Sequence, residues 1–161
     1  MNGLAGRLKL RECFEAADWG YVIEASILNP LLDHRFPERG RAVFKLDTGF
    51  NGPTMVTNDI FELLRLSDIE VPDDMRPSYA TLAGTLTMRS APALLEVAGK
   101  QIETDILTTL SGPSRMLVGF QVLKRLNLAL LENRACVLDV PPKETAHGNH
   151  MQRTRRSKAY E

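Results

Sequence analysis

Long hydrophobic runs are missing from this sequence, and no stretch approaches the length needed to cross a bilayer as a helix. Excess charge of either sign is missing too. Lys and Arg number 20 and Asp and Glu number 20, so the formal net charge is zero. Nothing global therefore draws the chain to nucleic acid or to an anionic membrane, and neither is expected as a partner. Cysteine is scarce. Cys13 and Cys136 sit near opposite ends, without metal-ligand spacing or a neighbouring histidine, and read as reduced packing residues, with a disulfide between them as the alternative. No apolar segment like that of a secretory signal opens the chain, so the expected location is cytoplasmic. A Gly-x-Ser-x-Gly elbow and a Gly-x-x-x-x-Gly-Lys phosphate loop are both absent, which removes the sequence signals for serine nucleophiles and nucleotide phosphates.

What is present suits one globular domain. The chain has 161 residues, 43% hydrophobic and 25% charged, enough apolar material for a single core. Residues 1–18 read as an N-terminal arm. Residues 19–27 read as a strand ended by Asn29-Pro30, and the polar residues 33–40 as a loop. Residues 41–46 alternate, with Ala42, Phe44 and Leu46 on one face and Arg41, Val43 and Lys45 on the other, as a second strand requires. That strand runs into Asp47. After a glycine turn and the apolar pair Met55-Val56, residues 58–66 carry a helix signature. Thr57 or Asn58 serves as cap, Asp59 and Glu62 lie at the positive end of the dipole, and Ile60, Leu63 and Leu64 form a stripe.

Beyond Pro77 the pattern is β. Residues 79–82 and 85–88 flank Ala83-Gly84 as a glycine-tipped hairpin, and residues 93–97 and 101–107 flank Gly99-Lys100 as a second. A short buried strand, 116–118, ends in Gly119, and residues 120–126 fit two helical turns. Residues 128–131 and 135–140 form a last hairpin. The domain is expected to span 19–140, and the basic stretch 141–161 to be a disordered tail. His147 and His150 have the spacing of a helical metal pair but lack further ligands nearby, and no metal or cofactor is expected. His34 reads as a solvated loop residue.

The question is what Asp47 does. An acid followed by glycine at a strand end is an ordinary turn pair. Three motifs in order suggest more: Leu46-Asp47-Thr48-Gly49-Phe50-Asn51-Gly52, the hairpin tipped by Leu82, Ala83 and Gly84, and Leu117-Val118-Gly119 followed by a short helix. In these the chain resembles the retropepsin-like aspartic proteases, in their small single-lobe bacterial and archaeal form, over roughly residues 20–140. The resemblance implies a mainly β, closed-barrel acid-protease fold with one or two short helices. It makes Asp47 the catalytic acid and Thr48 the residue whose hydroxyl bonds across a dimer. Gly49 lets the backbone approach the carboxylate, Leu82, Ala83 and Gly84 form a flap over substrate, and Leu117, Val118 and Gly119 support the catalytic loop. The sequence departs from the family after Gly119, where Phe120-Gln121 stands in place of the usual polar residue or Met followed by Asp or Asn.

Peptide hydrolysis by an activated water needs a base and an acid close together, and two carboxylates about 3 Å apart share one proton. One chain carries a single Asp-Thr-Gly. The resemblance therefore implies a homodimer acting on an extended peptide or protein substrate. Two other readings remain open: a catalytically inactive domain of the same fold that binds peptides or mediates dimerisation, and an unrelated small β domain in which the triplet is a turn.

Overall fold

A computed structural model describes residues 9–139. The mainly β expectation holds. Strands β1 (Lys9–Glu15), β2 (Val22–Asn29), β3 (His34–Phe36), β4 (Ala42–Asp47) and β5 (Thr54–Met55) precede helix α1 (Asn58–Leu63). Strands β6 (Ser78–Thr81), β7 (Gly84–Val97), β8 (Lys100–Thr109) and β9 (Leu117–Gly119) follow, then helix α2 (Phe120–Leu126) and strands β10 (Leu128–Leu131) and β11 (Arg134–Asp139).

Eight strands form one sheet in the order β3-β2-β4-β9-β5-β8-β7-β6. The far end of β7 also pairs with β2, Ala25 opposite Val97 through Leu28 opposite Leu94, which brings the sheet back on itself. Alternating residues point into the enclosed space. Ile23, Ala25 and Ile27 of β2, Phe44 of β4, Leu95 and Val97 of β7 and Ile102 and Ile106 of β8 are buried there. Phe61 and Leu64 from the α1 region close one side.

Several elements differ from the sequence expectation. Two hairpins were expected on either side of residue 90, yet β7 runs unbroken for 14 residues and serves both. Residues 84–87 pair with β6 and residues 94–97 with β2. Pro92 falls in the stretch between, which pairs with β8 alone. A missing N–H breaks no second ladder there. The loop expected at 33–40 contains β3, paired with β2. On α1 the inward stripe uses Phe61 and Leu64, whereas Leu63 is 61% exposed. Thr57 stands at the N-cap position, but its side chain makes no capping bond. Glu62 serves Arg89 rather than the helix dipole. The Arg89 guanidinium bonds Glu62 and Glu70 and lies over the Phe61 ring, 4.7 Å from its centroid. Hydrogen bonds from Arg89 first, and from Ser67, hold the Glu62 carboxyl below its ordinary value.

The cysteines require a correction. Part of the segment read as an arm is β1, which pairs antiparallel with β11 and places Cys13 directly opposite Cys136. The two are joined in a disulfide, with Cα atoms 4.0 Å apart, rather than reduced. Together β1, β11 and β10 make a second sheet, with β10 at its edge. The expected tail, with His147 and His150, lies outside the described residues. No helix among the described residues is long and apolar enough to cross a membrane.

Candidate active site

Asp47 is the last residue of β4, and β9 runs parallel beside it, Lys45 opposite Leu117, Leu46 opposite Val118 and Asp47 opposite Gly119. The Asp-Thr-Gly triplet thus meets the Leu-Val-Gly triplet at one pair, Asp47 opposite Gly119, 72 positions apart in the sequence. Leu117, Val118 and Gly119 are all buried. The short β9 sits between β4 and β5: Val118 packs into the core, while Leu117, on the opposite face, lies on the side of Lys45 and Asp47.

The carboxylate is held by its own loop. The backbone N–H groups of Gly49 and Phe50 both donate to Asp47 Oδ1, at 3.0 and 3.1 Å. An acid that accepts bonds two and three residues ahead forms a tight Asx-type turn. Oδ2 receives no hydrogen bond from a described residue. One oxygen is therefore anchored and the other carries no bond from a described residue. This local bonding is why a short acid followed by two small residues suits the position: a longer side chain overshoots these amides.

A second set of bonds ties the loop to the start of α2. Gly119 N–H donates to the Pro53 carbonyl, Phe120 N–H to the Phe50 carbonyl at 2.8 Å, and Gln121 N–H to the Gly52 carbonyl at 3.3 Å. The Gln121 side-chain amide adds a bond to the Asn51 carbonyl at 3.0 Å. The Phe120-Gln121 pair thus contacts the Asp47 loop directly. The sequence marked Gln121 only as part of a departure and assigned it no role. Its only signal was its place two residues after Gly119.

Successive residues of the triplet serve different spaces. Asp47 lines a cavity of about 290 Å³ with Trp19, Lys45, Arg115, Met116 and Leu117. Thr48 lines another, mostly apolar groove with Leu46, Phe120, Leu123 and Leu130. Thr48 is exposed, and its hydroxyl bonds no described residue. Gly49 is exposed as well.

The hairpin formed by β6 and β7 turns at Leu82-Ala83, one position earlier than the sequence suggested, with Thr81 paired to Gly84. Gly84 takes φ of +117°, a region that favours glycine. The turn is braced by Thr81, whose hydroxyl donates to the Gly84 carbonyl at 2.7 Å and accepts from Ala83 N–H at 3.2 Å. Leu82 is fully exposed at the tip. The base of the hairpin touches the Asp47 loop through Tyr79 and Phe50, whose ring centroids lie 5.3 Å apart. Burial there, and then the charge of Asp105, pushes the Tyr79 phenol above its ordinary value.

No family model matches the chain. A protein of Archaeoglobus fulgidus, described only as an uncharacterized protein, is 29% identical over 112 residues, 68% of this chain and 84% of that one. Among solved structures, EIAV protease complexed with the inhibitor HBY-793 aligns with a TM-score of 0.48 and 14% identity, over 81% of this chain and 99% of its own. A retropepsin-like aspartic protease from Rickettsia conorii aligns with a TM-score of 0.52 and 14% identity, over 79% and 87%. The fold is the retropepsin-like one. That similarity concerns the backbone, and the roles of individual residues rest on the geometry above.

Proposed function

We propose that this protein is an aspartic endopeptidase that hydrolyses peptide bonds with a water held between two Asp47 carboxylates, one from each subunit of a homodimer. The observation that carries this reading is the state of Asp47: Oδ1 anchored by two backbone N–H groups, Oδ2 left without a donor among the described residues. A carboxylate that only made a turn has no need of an open cavity in front of it.

In this reaction the ionised member of the pair takes a proton from water as the water oxygen bonds to the carbonyl carbon. The protonated member gives its proton to the carbonyl oxygen. The tetrahedral product then collapses, the C–N bond breaks, and the nitrogen leaves with a proton. No cofactor or metal takes part in these steps. A second copy is required because one chain supplies one such acid. The exposed face beside Thr48 supports where that copy sits. Phe120 is 47% exposed and Leu130 49%, and among the described residues no strand pairs with the outer edge of β10. Thr48 at this face would bond the partner's loop, Gly49 would leave room at the carboxylate, and the Leu82-Ala83-Gly84 tip would close over substrate. Leu117, Val118 and Gly119 would hold the loop from beneath.

Replacing Asp47 by Asn tests the proposal. Cleavage of an unfolded protein mixture is expected to fall to background while light scattering still shows a dimer. Persistent cleavage by that variant, or a strictly monomeric wild-type protein with full activity, would overturn it. A wild-type protein that dimerises and binds peptides yet never cleaves them would establish the non-catalytic domain instead.

A further inference from the structure

The cavity in front of Asp47 has a second chemical character, which the reaction itself does not need. Lys45 and Arg115 both line it, beside Trp19, Met116 and Leu117. Lys45 lies two residues before Asp47 on β4, so both side chains project from the same face of the strand. Their Cα atoms are about 7 Å apart at ordinary strand rise. Arg115 is brought alongside by the parallel pairing of β4 with β9, where Lys45 N–H donates to the Met116 carbonyl at 3.1 Å. Neither cation makes a salt bridge with a described residue, although Arg11, Arg35, Arg41, Arg65, Arg76 and Arg89 all do. Lys45 is half-buried, so its charge is only partly covered by water. Among the described residues Asp47 is the only acid on this wall, and its anchored oxygen is already engaged.

We propose that this cavity selects an acidic side chain of the substrate, glutamate ahead of aspartate, in the residue flanking the cleaved bond. The assignment rests on Asp47 acting as proposed above. The two cations supply charge-assisted donors to a carboxylate, and Arg115 presents a planar fork matched to it. Met116, Leu117 and the indole of Trp19, which is 56% exposed, supply apolar surface for the methylenes of a longer acid. The separation of Lys45 from Asp47 sets the position. A group reached by Lys45 lies one side chain away from the carbonyl that Asp47 addresses. A two-fold assembly presents the same wall on both sides of the bond, so the preference applies to either flank.

The test is a cleavage-site profile of a complex peptide mixture, read by mass spectrometry, for the wild type and for the double variant Lys45→Met/Arg115→Met. Glutamate is expected to be enriched next to the cut by about tenfold over its occurrence, and the enrichment to vanish in the double variant. In parallel, the Asp47→Asn protein is titrated by fluorescence anisotropy with a glutamate-containing peptide and with its glutamine twin. Tighter binding of the glutamate peptide, by a similar factor, is expected. Cleavage without acid enrichment, or a profile unchanged in the double variant, overturns the specificity and leaves the protease reading intact. Charge-selective binding that the double variant loses, with no cleavage by the wild type, removes the catalytic reading and keeps the cavity as an acidic-peptide site. Equal binding of the two peptides without cleavage removes both.

Discussion

A Cβ atom placed on Gly119 would lie 2.2 Å from the carbonyl oxygen of Gly52. It would also meet the Phe50 ring at 2.6 Å and the Phe50 carbonyl oxygen at 2.8 Å. Gly119 is needed for this close approach and not for an unusual backbone angle, since its φ is −91°. The contact is backbone against backbone, so no side-chain rotation relieves it. Gly119→Ala is expected to displace the loop that orients Asp47 and to destabilise the fold by about 1–3 kcal/mol. Denaturant titration gives the stability loss. A variant with an unchanged midpoint would show that the loop has room to move.

Gln121 offers a milder perturbation of the same contact. Its side-chain amide holds the Asn51 carbonyl while its backbone N–H holds Gly52. Gln121→Ala removes only the first bond, which is exposed, and costs about 0.5–1.5 kcal/mol at most. The expected effect is therefore on turnover rather than on folding: kcat falls while KM and the melting temperature change little. Gln121→Glu, which has no donor for the carbonyl, is expected not to rescue it.

The disulfide joins residues 123 positions apart. Closing so long a loop removes much of the freedom of the unfolded chain, and the loop-entropy account assigns it roughly 3–5 kcal/mol. The Cys13→Ser/Cys136→Ser variant is expected to melt well below the wild type, and to match wild type treated with a reductant. A variant indifferent to the loss would show that β1 is held to β11 by the ladder and its packing alone.

Acid stability carries a sign that can be stated. Arg89, then Ser67, hold the Glu62 carboxyl below its ordinary value of 4.5. Gln101 first, and Arg35, do the same for Glu96. A depressed carboxyl contributes stability that is fully present above the unfolded-state value. That stability is lost as pH falls through the lower folded-state value. The unfolding free energy is therefore expected to be flat above about pH 5 and to decline below it. Arg89→Met should shrink the part of that decline due to Glu62. Both carboxylates are substantially solvated, so the change is modest. Denaturant midpoints from pH 7 down to pH 2 for the two proteins make the comparison.

Much of this fold was legible from local signals. The alternation of Phe44 and Leu46 with Lys45, the two-turn helix after Gly119 and the last hairpin about Glu132 and Asn133 depend on neighbours a few residues away. The motif Asp47-Thr48-Gly49 was legible for the same reason, because its turn is made by its own amides. Leu63 against Phe61 shows the limit. The apolar spacing of Ile60, Leu63 and Leu64 marks one stripe on a short helix, yet Phe61 and Leu64 are the residues buried, and only the direction of the neighbouring strands decides which face turns inward.

What the sequence determined by itself, then, was the mainly β class, the order of the short-range elements and the single acid at a strand end. Those follow from side-chain alternation, turn chemistry and glycine placement, all set within a few residues. Tertiary structure decided the rest: the pairing of β1 with β11 that joins Cys13 to Cys136, the unbroken run of β7 through Pro92, the hold of Gln121 on the Asp47 loop, and the meeting of Lys45 with Arg115 in one cavity. Each of these depends on residues distant in the chain becoming neighbours through strand pairing, and no local pattern encodes which edges meet.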